Sequence, residues 1–254
     1  MIQEWRRTCR DRIVSNDYAD YIISYYENRE QVDTYFRNEC LKFIDNNLAI
    51  VTIERADVDL MSVIATLYYM VPKCYGLMDT SSIEASGIYK VQNQPILNLR
   101  GRDVLVGIID TGIDYQNPLF RWSDGSTRIE AIWDQTIQAE DPPEGLLYGS
   151  VYGKDQINEA LQAEDPLEIV PSRDTNGHGT FTAGIIAGGT DAGNDFTGAA
   201  PMAELLVVKL KQAKQYLRDF YFLEEEEVYQ ETDIIMAVYY LVSQAVRLEK
   251  PLSI

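Results

Sequence analysis

The feature that most constrains this 254-residue chain is a short, unbroken apolar run, Val104-Leu-Val-Gly-Ile-Ile109, that ends on a carboxylate, Asp110. A strand with one face in water alternates apolar and polar residues. A continuous run of this length instead reads as a strand buried on both faces of a parallel sheet. Leu205-Leu-Val-Val-Lys-Leu210 is a second such run. Gly179 to Ala187, built of small residues, reads as a helix suited to close approach in a crowded centre. Thr232 is a good cap for an amphipathic helix with Ile234, Val238, Leu241 and Ala245 on one face. Pro251 to Ile254 opens what reads as a further apolar strand. A domain that halts on entering a strand leaves its sheet half built, so the chain is expected to be the amino-terminal piece of a longer one.

Ahead of these elements the pattern differs. Residues 1 to about 46 are rich in charge and tyrosine, with helical spacing at Tyr18, Ile22, Tyr25 and Tyr26. Leu48 to Ile53 reads as a strand, and Leu60 to Val71 as a helix capped by Asp57 or Asp59. The polar break Leu77 to Ser82 is the expected boundary, giving a small α+β domain over 1–80 and an α/β domain over 81–254.

Net charge −18 and pI near 4.4 argue against binding nucleic acid and disfavour anionic membranes, so no nucleic-acid or membrane partner is expected. The first 25 residues lack the apolar stretch of a signal peptide, and no segment approaches the roughly 18 apolar residues of a membrane helix. Cys9, Cys40 and Cys74 form no C-x-x-C pair, and a lone histidine cannot complete a zinc site. They read as reduced thiols of a protein kept inside a cell.

Asp110 sits at the carboxyl end of a parallel strand, where open α/β sheets place their sites, in Asp110-Thr-Gly-Ile-Asp114. Alone it is equally a strand-end residue capping a turn. His178, the only histidine, lies between two glycines at the mouth of the small-residue helix. The glycines leave its ring uncrowded, and a helix start disfavours the imidazolium, keeping a neutral ring available as a base.

Val106-Gly-Ile-Ile-Asp110-Thr-Gly-Ile-Asp114 and Asn176-Gly-His178-Gly-Thr-Phe-Thr-Ala-Gly184 resemble the aspartate and histidine blocks of subtilases. Gly198-Ala-Ala-Pro-Met-Ala-Glu-Leu-Leu-Val-Val-Lys209 is similar to the segment that follows them in that family. The order Asp, then His, with Ser later is the subtilisin order. The resemblance covers about residues 83 to 254 and implies a three-layer subtilisin-like α/β fold with a parallel sheet. It implies a serine endopeptidase acting on proteins or peptides, with Asp110 fixing the tautomer of His178 and His178 serving as base. Within the family, the tyrosine-rich leader, the missing signal peptide and the insertion between Asp110 and His178 resemble the clostridial spore-germination (Csp-type) subtilases. That likeness implies a cytoplasmic or spore-associated protein that processes a germination pro-enzyme. Residues 1–80 then take the place of a propeptide that can stay bound after cleavage.

The family's serine lies in a Gly-Thr-Ser context, which is absent here. Ser126 precedes the histidine, Ser243 falls inside a helix, and Ser253 lies in the last strand. The nucleophile and the oxyanion asparagine are therefore expected beyond residue 254, and the piece alone is expected to be inactive. Calcium is implied only by the resemblance, since no spaced oxygen-ligand loop is present. Asp114 is assigned to its turn. Glu224 to Glu227 reads as a solvated loop, or as an acidic rim favouring basic substrates. Three rival readings stand beside the protease. An aspartic protease needs a second Asp-Thr-Gly, which the chain lacks. A catalytically silent pseudoprotease would act as a binding or signalling module. A stable processed fragment would act by binding a partner.

Overall fold

The computed structural model describes residues 2–25, 28–55, 68–76, 99–191, 196–223 and 226–254. In chain order its elements are α1 (Ile2–Val14), β1 (Tyr18–Ser24), α2 (Arg29–Tyr35), β2 (Cys40–Phe43), β3 (Leu48–Glu54), β4 (Cys74–Gly76), β5 (Leu105–Asp110), β6 (Ile129–Asp134), β7 (Ser150–Gly153), α3 (Lys154–Ala160), α4 (Pro166–Ile169), α5 (His178–Ala187), β8 (Glu204–Lys209), α6 (Gln215–Phe220), β9 (Val228–Gln230), α7 (Glu231–Leu248) and β10 (Leu252–Ser253). They gather into two compact units. One comprises Met1–Gly76, Gln138–Gly149 and Lys211–Tyr239; the other comprises Leu77–Ile137, Ser150–Leu210 and Tyr240–Ile254.

The second unit is built on a five-stranded sheet in the order β10-β5-β8-β6-β7. The β5, β8 and β10 pairings and the β6–β8 pairing are parallel, and only β7 runs antiparallel, against β6. The continuous apolar runs follow from burial on both faces. Val106 and Ile108 of β5, with Leu205 and Val207 of β8, join Ala183 and Ala187 of α5 and Ile157 and Ala160 of α3 in one core. Gly107, between the first two, faces the other way. A side chain there would come within 2.8 Å of Leu241 on α7, so the strand carries a glycine where a helix passes close. Sheet covered by helices on both faces gives the three-layer α/β arrangement.

In the first unit β1, β3 and β2 form an antiparallel sheet in that order. The helical spacing read at Tyr18, Ile22 and Tyr25 is overturned: Tyr18–Ser24 is a strand, paired along its full length with Leu48–Glu54. Its tyrosines and isoleucines suit a pleated surface, and that pairing decides the conformation. Of the helix expected over 60–71, residues 60–67 lie outside the described residues and Tyr68–Met70 forms a 3-10 turn; the boundary at 77–82 lies wholly outside them, as do Asp57, Asp59 and Tyr26.

Cys9 and Cys40 are joined in a disulfide with Cα atoms 5.4 Å apart, which corrects the reading of both as free thiols. The two lie 31 residues apart in sequence, and only the packing of α1 against the sheet brings them together. Cys74 carries a free thiol. The α7 face also differs from its pattern. Ala237, Tyr240, Leu241 and Ala245 are buried, whereas Val238 is exposed. The helix begins at Glu231, so Thr232 lies in its first turn, where it accepts from the Gln230 amide, instead of capping it.

A buried polar network ties the first unit together. Asp20 pairs with Lys214 at 3.0 Å, with side chains only 3% and 2% exposed. The same carboxylate accepts from Thr52 Oγ1 and Gln230 Nε2, while Lys211 and Tyr148 both bond Asp233. Burial alone would raise the Asp20 pKa. The nearby Lys214 and Lys211 charges and the Thr52 hydroxyl outweigh it and hold the carboxyl below its ordinary range. For Asp233 burial outweighs the Lys211 charge, and the carboxyl is pushed up. Removing one member of such a pair leaves a charge without water or partner. Asp20→Ala is expected to cost about 3–5 kcal/mol, measured by chemical denaturation of the full chain. Joint replacement by Asp20→Leu and Lys214→Met is expected to recover most of that loss.

Candidate functional site

Asp110 is the last residue of β5, aligned with Lys209 at the end of β8. The N–H of Leu210 donates to its carbonyl, so its backbone is held by the sheet. His178 opens α5 and directly follows Gly177, which adopts a left-handed φ of 89° that favours glycine. Nδ1 of His178 lies 2.8 Å and 2.9 Å from the two carboxylate oxygens of Asp110. The side chains are 21% and 9% exposed, so the pair is shielded but reachable. The N–H of Thr111 also donates to Asp110 Oδ1. An ionised carboxylate only accepts hydrogen bonds, which places the ring proton on Nδ1 and the basic lone pair on Nε2.

Glycines allow the two elements to approach. The α5 backbone at Gly179 lies against the loop after β5 so closely that a Cβ there would sit 2.1 Å from the Gly112 carbonyl oxygen. Gly112 itself has φ +118°. Around this contact lie residues the sequence reading did not single out. Asp174 Oδ1 accepts from the Thr111 hydroxyl and the Gly177 N–H, and its Oδ2 accepts from the N–H and hydroxyl of Thr180. Burial would raise the Asp174 pKa, and these donors, Thr180 foremost, lower it. The missed signal was an aspartate shortly ahead of a glycine at a helix start, a position from which side chains satisfy open N–H groups. Lys209 Nζ donates to the Arg173 carbonyl at 2.7 Å and steadies the same loop.

Asp114 accepts from the N–H of Gln116, the turn role expected of it. Ser126 donates to Asp124 in its own turn, and Ser253 lies on β10. Of the acidic run, Glu226 and Glu227 are exposed, and Glu224 and Glu225 lie outside the described residues. Among the described residues no group of three or more His, Cys, Asp or Glu is gathered as a metal ion would need, so the calcium implied by the resemblance finds no such donor set there. No helix among them is long and apolar enough to cross a membrane.

A parallel sheet handing an aspartate from a strand end to a histidine at a helix start defines a subtilisin-like fold. The Subtilase family model matches residues 101–246, and the chain belongs to that family of serine proteases. It is similar to the CspB protease of Clostridium perfringens, at 36% identity and a TM-score of 0.54, over 66% of this chain and 32% of that one. An intracellular serine protease of Paenibacillus polymyxa is 29% identical over 63% of this chain and 36% of its own length. A subtilisin-like protease of Solanum lycopersicum is 30% identical over 40% of this chain and 14% of its own. The chain therefore spans about a third or less of the length of these relatives.

Gly179→Ala is expected to drive the helix start off the loop. The measurable cost is about 2 kcal/mol or more in chemical denaturation, a magnitude typical of overpacking.

Proposed function

We propose that this chain supplies the aspartate and histidine of a subtilisin-type serine endopeptidase. The observation that carries the reading is the contact of both Asp110 oxygens with one nitrogen of His178. With the proton held on Nδ1, Nε2 takes the proton of a serine hydroxyl as that oxygen attacks the scissile carbonyl. The proton then passes to the leaving amine, and Asp110 stabilises the imidazolium formed between those steps. The serine and the oxyanion asparagine belong, in this proposal, to sequence outside residues 1–254.

The substrate is a protein or peptide. The Csp-type likeness supports a germination pro-enzyme, and the likeness to the CspB protease supports that finer assignment. A spore-associated setting suits the Cys9–Cys40 disulfide better than reducing cytoplasm does. Residues 1 to about 80 act as a propeptide that stays bound after cleavage. This is supported by the sharing of one buried network by Asp20 and Thr52 with Lys214 and Gln230, which follow β8. If a cleavable sequence is inserted within 77–98 and cut, the leader is expected to co-elute with the remainder on gel filtration. Separate elution would remove the bound-leader reading.

The activity is tested in the full-length enzyme by covalent labelling with a fluorophosphonate. His178→Ala is expected to lose turnover on the order of 10⁶, the magnitude known for subtilisin itself, and Asp110→Asn somewhat less. Labelling that survives His178→Ala counts against the base assigned. Absence of labelling in the unsubstituted enzyme favours the silent binding module.

A further inference from the structure

We propose that Asp174 is a positioning residue for the Asp110–His178 pair, acting through the hydroxyls of Thr111 and Thr180. The proposal rests on the pairing described above and concerns how that pairing is held. Asp110 belongs to a strand end and His178 to a helix start, 68 residues apart. Gly177, the residue capping that helix, has no side chain with which to fix it. The alignment therefore depends on whatever locks the helix start to the loop after β5.

Two threonines form that lock in a crossed arrangement. Thr111, on the loop, accepts the N–H of Gly179 on the helix at 2.9 Å. Thr180, on the helix, accepts the N–H of Asp114 on the loop at 2.8 Å. Each hydroxyl then donates its own proton to Asp174, at 2.8 Å from Thr111 and 2.6 Å from Thr180. An amide N–H only donates and a carboxylate only accepts, so both hydroxyl protons point towards Asp174. Each oxygen of Asp174 also takes a backbone N–H, Gly177 on one and Thr180 on the other, both at 2.8 Å. An asparagine has one acceptor and cannot satisfy both N–H groups in either orientation of its amide. The site demands a carboxylate, and the four donors given to it are hydroxyls and backbone N–H groups.

A residue that merely caps α5 would change stability and leave the ring alone. Because His178 is the only histidine, the ring nitrogens of the ¹⁵N-labelled full chain give one set of NMR signals. In the unsubstituted chain the proton is expected on Nδ1, with a far-downfield proton resonance. In Asp174→Asn that resonance is expected to vanish and the two nitrogen shifts to converge as the tautomers mix. In the full-length enzyme kcat is expected to fall on the order of a hundredfold, with KM little changed, as for a small misplacement of reacting groups.

Thr180→Val, which removes one hydroxyl, is expected to shift the signals in the same direction, and Thr180→Ser to restore them. This pair decides the matter if Asp174→Asn does not fold. Ring signals unchanged in Asp174→Asn, or in Thr180→Val, overturn the positioning role. A ring proton absent from Nδ1 in the unsubstituted chain would instead strike at the Asp110–His178 pairing, and the positioning role would fall with it.

Discussion

The contact of Gly179 with the Gly112 carbonyl is the constraint on which the site depends. Strand and helix meet there backbone to backbone, with no room for a β-carbon on the helix side. Everything polar in the neighbourhood requires that proximity. The Gly179 N–H reaches Thr111, the Asp114 N–H reaches Thr180, and the imidazole reaches Asp110. Larger side chains at this junction would separate the two elements by ångströms, and a hydrogen bond weakens steeply over that range.

Because the parallel strands are buried on both faces, the sheet that carries Asp110 was legible in the sequence. Burial leaves no choice but continuous apolar runs, and these gave β5 and β8 to within two residues at each end. Glycines beside a unique histidine likewise marked the site. The leading half was harder to read. Tyr18 to Ser24 carries no strict alternation, because Tyr18 and Ile22 put apolar residues on the face opposite Ala19, Tyr21 and Ile23, and only pairing with β3 shows that the segment is a strand. The Cys9–Cys40 bond joins two elements through tertiary packing, which no local spacing encodes. Val238 fits a helical stripe, yet the buried stripe of α7 runs through Ala237, Tyr240, Leu241 and Ala245. Asp174 escaped notice for a related reason. A lone aspartate ahead of a helix is common, and its value lies in the four donors that the fold aims at it.

The buried charges of the first unit answer a different requirement. Moving a lysine and an aspartate out of water costs more than their attraction returns unless hydrogen bonds fill the remaining positions. Asp20 meets that condition, with Lys214, Gln230 and Thr52 on its side chain and Tyr216 bonded to its backbone. Apolar residues of similar size would pack there with less penalty, but they would bind any apolar surface. Paired, fully bonded charges accept one arrangement. The network joins β1 and β3 to residues that follow β8 within one compact unit.

Asp110 and Asp174 show how one functional group is given two tasks by its donors. Asp110 turns both oxygens to a single ring nitrogen and takes one backbone N–H besides. Asp174 receives only hydroxyls and backbone N–H groups, none of which titrates near neutral pH. Its hydrogen bonds therefore hold the frame around the pair. Were Asp174 to share a donor with the imidazole, each proton transfer at His178 would pull on the loop that aligns it. Thr111 links the two carboxylates, giving its N–H to Asp110 and its hydroxyl to Asp174, so the strand end and the helix start are tied through one residue.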